Sequence, residues 1–339
     1  MAITIDDIAK EANVSIATVS RVINGSKTVS PELRNRVMEA VNRNHFRPNT
    51  FARALTTNKS NIIGIIVTDI SNPVISSLVK GIHQVCQERG FTVMICESGG
   101  NKDNEKALLY RMEEQHSTGV LLAGVDIDQE SVRTMLNLSY PVVLVTQEAN
   151  DGKHAVTTVI HDNVSAIADA VRFLYANGHR RIAFIGGPER DYSNGSKRLE
   201  GFRQAAEELS LEIPDSYILH GNFTYESGAD CMRRLYEENT ELPTAVMACS
   251  DLMAIGAISC AGRLGLRVPD DLSIMGVDDS DLARYFSPAL TTVRIPYFDE
   301  GKTAANVLFD LVESGMKTTG SITHIPHKVI RRFTVKDIR

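Results

Sequence analysis

Residues 4–24 read TIDDIAKEANVSIATVSRVIN, and two short helices separated by a tight turn account for the pattern. Ile5, Ile8, Ala9 and Ala12 recur at helical spacing, with Thr4 placed to cap the first turn and Asp6 and Asp7 where the helix dipole favours negative charge. Asn13 and Val14 break the pattern, Ser15 offers a second N-cap, and Val19, Val22 and Ile23 form the inward stripe of a second helix. Such a pair reads as a helix-turn-helix, whose second helix enters the DNA major groove. Its outward residues Ser15, Ile16, Ala17, Ser20 and Arg21 are then the candidate readers of base edges or phosphates. The alternative is an αα-hairpin packed into a larger core.

Beyond this stretch, Gly25 to Val29 forms a turn, and Ser30-Pro31-Glu32 starts a third helix with Leu33, Val37, Ala40 and Val41 on its apolar face. Phe46 and Pro48 end it, and residues 49–55, NTFARAL, follow with helical propensity but few apolar anchors. From Asn61 onward strand and helix alternate. IIGIIVT at 62–68 is a short continuous run of the kind buried on both faces of a parallel sheet, and a helix from about Pro73 to Arg89 follows it. Strand-like runs recur at 91–96, 119–125 and 142–146, and a second set at 181–186, 217–221, 245–249 and 273–277. Two successive βα series imply two doubly wound lobes, which the segments 292–295, 297–313 and 323–332 complete.

Composition narrows the function classes. At 339 residues the chain is long enough for two or three domains, and 43% apolar with 23% charged residues is ordinary for a globular protein. No stretch approaches the roughly 20 apolar residues of a membrane span, and the N-terminus is an acidic helix rather than a basic signal peptide. A cytoplasmic protein without a membrane partner is expected. Cys86, Cys96, Cys231, Cys249 and Cys260 are widely spaced with no C-x-x-C pair, so they read as reduced core thiols. Net charge is −6, but residues 1–60 hold nine Lys or Arg against five Asp or Glu. A small basic module on an acidic body is the electrostatic footprint of a DNA reader.

Catalytic and metal motifs do not emerge. FIGGPERD at 184–191 follows a strand but does not make G-x-G-x-x-G, and neither G-x-x-x-x-G-K-[ST] nor G-x-S-x-G occurs. The acidic run Asp278, Asp279, Asp281 lacks an EF-hand register, and the nine His residues form no helical pair at metal spacing. No enzyme activity and no cofactor are expected. Two lobes with parallel sheets do offer a cleft beyond the carboxyl ends of their strands, where Asp69, Gln147, Asp251 and Asp278 each fall.

The runs DIAKEANVSIATVSRVIN (7–24) and VSPELRNRVMEAVNRNHFRPNTFARAL (29–55) resemble the headpiece of the lactose-repressor and galactose-repressor family of bacterial transcription regulators. The likeness continues through GFRQAAEE (201–208), SDLMAIGAI (250–258), RVPDDLSIMGVDD (267–279) and RYFSPALTTV (284–293), and so spans the full length. It implies a small all-α helix-turn-helix headpiece (1–48), a hinge (49–60), and an α/β two-lobed effector domain (61–339) resembling periplasmic binding proteins. The first lobe would comprise about 61–161 and 292–319, the second about 162–290 and 321–339, with crossings near His161, Thr291 and Gly320. It further implies a homodimer on double-stranded operator DNA, with Thr4, Thr18, Asn24 and Asn49 added to the DNA-facing set. In the family the hinge becomes helical in the minor groove and wedges a leucine between base pairs. Leu55 matches that wedge, with Ala52 beside it and Arg53 placed for phosphates.

The same resemblance matches Arg198 in KRLEGF, Phe223 in HGNFTYESG and Asp278 in MGVDD to the family's effector-contacting arginine, aromatic and aspartate, with Ser250 beside Asp251 in the set. A carboxylate, a planar guanidinium and an aromatic face suit a sugar or sugar derivative. Two departures matter. Val74 and Ile75 stand in ISNPVISSL where many relatives carry aromatics, which disfavours a nucleobase, and ERDYSNGSK (189–197) reads one residue longer than in close relatives, so the resemblance assigns no role to Tyr192 or Asn194. The reading is a ligand-responsive repressor of a carbohydrate-utilisation operon. A cytoplasmic solute-binding sensor without regulatory DNA binding, and a corepressor-dependent regulator of nucleobase metabolism, are the alternatives.

Overall fold

The structure, a computed structural model, describes residues 3–23, 29–46 and 60–339. The chain divides after Ser60 into two units. Asn24, Asn49, Ala52, Arg53 and Leu55 lie outside the described residues.

In the first unit α1 spans Ile5–Glu11, α2 Ile16–Ile23 and α3 Pro31–Arg43. A capping box starts α1: Asp7 N–H donates to Thr4 Oγ1 at 3.3 Å while Thr4 N–H donates to Asp7 Oδ2 at 2.9 Å. The turn into α2 places Asn13 in the left-handed region at φ 50°, which Asn tolerates better than most side chains. From α3, Arg36 donates to the carbonyls of Ala12 (2.6 Å) and Asn13 (3.0 Å) and fastens that turn. Ile8, Ala9, Ala12, Val19, Val22, Val37 and Ala40 bury the apolar stripes of the three helices against one another.

The second unit carries two six-stranded sheets. Its first lobe runs β1 (Ile62–Val67), α4 (Pro73–Glu88), β2 (Thr92–Glu97), α5 (Lys102–Glu114), β3 (Gly119–Ala123), α6 (Gln129–Asn137), β4 (Val142–Val145) and β5 (Thr158–His161). The second runs α7 (Asn163–Ala176), β6 (Ile182–Gly186), α8 (Lys197–Glu208), β7 (Ile218–His220), α9 (Tyr225–Glu238), β8 (Ala245–Ala248), α10 (Asp251–Arg263), β9 (Ser273–Asp278), α11 (Asp281–Tyr285) and β10 (Thr291–Arg294). Then α12 (Tyr297–Ser314) and β11 (Ile322–Ile325) return to the first lobe, and β12 (Lys328–Ile330) closes the second. The orders are β11-β5-β4-β3-β1-β2 and β12-β10-β9-β8-β6-β7, parallel except for the β10–β12 pair. Continuous apolar strands such as IIGIIV and IAFIG are buried because helices cover both faces. Among the described residues no helix is long and apolar enough to cross a membrane.

Two of the expected crossings move. The crossing expected near Thr291 lies at Ile295–Pro296, because Thr291–Arg294 pairs with Met275–Asp278 in the second lobe. The one expected near Gly320 lies after Ile325, because Ile322–Ile325 pairs with Thr158–His161 in the first. The polar run before it is no linker: Thr157 N–H donates to Thr318 Oγ1 (3.0 Å), and Thr319 N–H to Thr157 Oγ1 (2.8 Å). Strand β5 itself is an addition to the strands read from sequence, and its end at His161 supplies the first crossing.

Candidate functional site

On the first unit the face of α2 is built by its start. Ser15 Oγ accepts from Thr18 N–H at 3.1 Å and lies 2.9 Å from Thr18 Oγ1, so both hydroxyls are engaged in capping. Thr4 is likewise held by Asp7. Ile16, Ala17 and Arg21 remain exposed on the outward side, Ile16 with 48% of its surface accessible, while Ser20 is half-buried. Two neighbouring apolar side chains followed by a guanidinium can meet thymine methyls and a guanine edge or phosphate.

In the second unit the site is organised by Arg198, 4% exposed in the first turn of α8. Its Nε donates to Asn163 Oδ1 at 2.7 Å, one terminal nitrogen donates to the Cys249 carbonyl, and the other donates to Asn194 Oδ1 at 3.2 Å and lies 3.2 Å from His161 Nε2. Asp278, at the end of β9 with φ 119°, accepts from the Tyr297 hydroxyl at 2.8 Å. Since Tyr297 begins α12 of the first lobe, that bond crosses between the lobes. Burial pushes the Asp278 carboxyl up, with Arg198 acting against it, and burial together with Asp278 pushes the Tyr297 phenol far up.

A second set of bonds crosses nearby. Gln147 Nε2 lies 3.4 Å from both Asp191 oxygens, Glu148 N–H donates to Ser193 Oγ at 2.9 Å, and Asn194 Nδ2 donates to the Thr146 carbonyl at 3.4 Å. Residues Tyr192–Ser196 form a π-helical turn in which Ser196 N–H reaches the Asp191 carbonyl at 2.8 Å, and that bulge carries Ser193 and Asn194 to the first lobe.

Other expected residues are placed differently. Asp251 does not face the cleft: it is wholly buried, with Oδ1 accepting from Thr292 Oγ1 (2.6 Å) and Oδ2 from Ser280 N–H and Oγ (both 2.8 Å). Burial, with Asp278 adding to it, raises its carboxyl well above the ordinary carboxylate range. Ser250 caps α10 through Met253 N–H at 3.2 Å. Ile75 packs into the core and Val74 lies half-buried against it. Asp69 is exposed, its Oδ1 accepting from Ser71 N–H (2.8 Å) and Oγ (2.7 Å). Phe223, at φ 67°, packs over Gly187 so closely that a Cβ there would lie 2.3 Å from its ring, which is why glycine stands at that position. His161, Asn163, Asp191, Tyr297 and Glu300 join the ring around Arg198 without having been singled out from sequence.

Residues 4–49 match the family model of bacterial regulatory proteins, lacI family, and residues 171–335 that of a periplasmic binding protein-like domain. Catabolite control protein A of Priestia megaterium is 35% identical over 336 residues, 99% of this chain and 100% of that protein. The HTH-type transcriptional repressor PurR of Salmonella paratyphi B is 35% identical over 330 residues, 97% of this chain and 96% of that one. Among solved structures, the transcriptional regulator CelR in complex with cellobiose superposes with a TM-score of 0.75 at 29% identity, covering 98% of this chain and 99% of that one. The lac repressor dimer bound to operator and the anti-inducer ONPF superposes with a TM-score of 0.88 at 24% identity, covering 99% and 100%, a likeness of fold. These relatives are transcriptional regulators and not enzymes, and with a helix-turn-helix unit followed by a two-lobed effector-binding unit this chain belongs to the lacI family of DNA-binding bacterial transcription regulators.

Proposed function

We propose that the protein is a cytoplasmic, homodimeric repressor of carbohydrate-utilisation genes, with residues 1–48 as headpiece, 49–60 as hinge and 61–339 as effector domain. The observation that carries the effector assignment is the ring of buried polar groups around Arg198, with Asp278 on one lobe bonded to Tyr297 on the other. Buried polar groups in a cleft, offering a guanidinium and a carboxylate, suit a polyhydroxylated metabolite. That CelR is solved with cellobiose supports a carbohydrate. A ligand held between the lobes fixes their closure, closure sets the spacing of two headpieces in a dimer, and operator affinity changes by the ligand's differential affinity for the two closures.

The DNA assignment rests on α2, where Ile16, Ala17 and Arg21 read the major groove and Leu55 wedges into the minor groove at the operator centre. Calorimetry of the full chain with D-glucose, cellobiose, glucose 6-phosphate and adenine tests the effector reading. Binding of a sugar that Asp278→Asn weakens at least tenfold supports it. Adenine binding alone, or sugar binding that Asp278→Asn leaves intact, overturns it.

A further inference from the structure

Glu300 lies in the first turn of α12, wholly buried. Its Oε2 is 3.3 Å from His161 Nδ1, whereas Oε1 has no hydrogen-bond partner, and among the described residues it is the buried side-chain oxygen or nitrogen left in that condition. A buried carboxylate oxygen without a donor is costly and calls for an explanation in the chemistry of its site.

The surroundings give one. His161 ties Glu300 to the ring described above, its Nδ1 lying 3.3 Å from Glu300 Oε2 and its Nε2 3.2 Å from a terminal nitrogen of Arg198. Arg198 directs its donors at Asn163, Cys249 and Asn194, with none on Glu300. His161 Nε2, 3.0 Å from Asn163 Oδ1, is turned away from it. Lys197, next to Arg198 in the chain, pairs with Glu200 at 3.0 Å. Three buried carboxyl groups, Asp191, Asp278 and Glu300, thus share the ring with one guanidinium and the His161 imidazole. A hydroxyl on the ligand would satisfy the oxygen alone; an ammonium group satisfies the oxygen and offsets the surplus of acid, through a short charge-assisted bond.

We propose that the effector carries a protonated amine which donates to Glu300 Oε1, making Glu300 the residue that selects an amino sugar over its neutral counterpart. This rests on the cleft reading above. The test is calorimetry of the full chain, its Glu300→Gln variant and its Asp278→Asn variant with D-glucosamine and D-glucose, which differ in one ring substituent. Glu300→Gln keeps the shape and an acceptor for His161. The expected result is glucosamine binding at least tenfold more tightly than glucose to the parent, a ratio near one in Glu300→Gln, and loss of both sugars in Asp278→Asn. Equal affinities in the parent, or a preference that survives Glu300→Gln, would overturn the amine assignment while leaving a carbohydrate cleft standing. Binding of neither sugar would also overturn it, and the wider panel above then decides separately whether the cleft reading falls.

Discussion

The two units handle polar chemistry in opposite ways. In the helix-turn-helix unit the side chains proposed to read DNA, Ile16, Ala17 and Arg21, are exposed and neutral or singly charged, and local hydrogen bonds such as Ser15 to Thr18 shape the helix that presents them. In the two-lobed unit the groups proposed to hold the effector are buried, ionisable and bonded to residues far away in sequence, Arg198 to Asn163 and Cys249, Asp278 to Tyr297. A surface reader can exchange side chains with little effect on folding. A buried ring cannot, because each of its members also holds the others.

The largest expected effect tests that interdependence. Arg198→Leu leaves Asn163, Asn194 and the Cys249 carbonyl without their donor and Asp278 without its nearby cation, so the 61–339 unit should lose about 3–5 kcal/mol in urea unfolding along with its ligand response. A loss below about 1 kcal/mol would show that Arg198 serves the ligand alone.

Acids separate the units next. Burial raises the Glu105 carboxyl to about 7, against hydrogen bonds from Val125 N–H and Ser98 that pull it down. The folded state therefore holds a proton that the unfolded chain has released, and stability contributed by Glu105 falls as pH rises from its ordinary 4.5 to about 7, by about 3 kcal/mol in all. Asp7 on α1 has the opposite sign: hydrogen bonds from Thr4 lower its carboxyl, so its contribution is present above the ordinary carboxylate range and lost as pH falls through the lowered value. Glu105→Gln should flatten the stability profile of the larger unit between pH 4.5 and 7; an unchanged slope would assign it to another acid.

How much of this could be read in the chain follows the same division. The capping box at Thr4, the break at Asn13 and the stripe Ile8, Val19, Val22 lie within a few residues of one another, and local spacing carries them. The alternation of β1, α4 and their successors was equally legible. The ring around Arg198 was not, since His161 and Glu300 meet only because β5 and α12 converge at the lobe crossings, 139 positions apart in sequence. Asp251 misled for a related reason: it follows a strand as a cleft residue should, yet Thr292 and Ser280 turn it into the second lobe. The crossing expected near Gly320 failed because Thr318 and Thr319 resemble a linker in composition and are tied to Thr157 in space.

Smaller effects should sharpen the picture of the reader. Val37→Ala opens the small core beneath α2, and a loss of about 1–3 kcal/mol there should weaken operator binding while the unfolding of the 61–339 unit stays put. A matching shift in the larger unit would show that the two fold as one. Exchanging Ile16 and Ala17 for the corresponding pair of another regulator should leave stability within about 0.5 kcal/mol and change which duplexes are selected from a random pool. An unchanged selection would remove those two positions from the base-reading set.

On the proposed function, a cleft that does not itself read DNA governs how tightly the headpiece does. The decisive measurement is the affinity of the full chain for a duplex selected from a random pool, with and without a saturating concentration of whichever sugar calorimetry identifies. A change of at least tenfold is expected, with an equal reciprocal change in sugar affinity when the duplex is present and loss of both changes in Asp278→Asn. Identical duplex affinity with and without the bound sugar would contradict it.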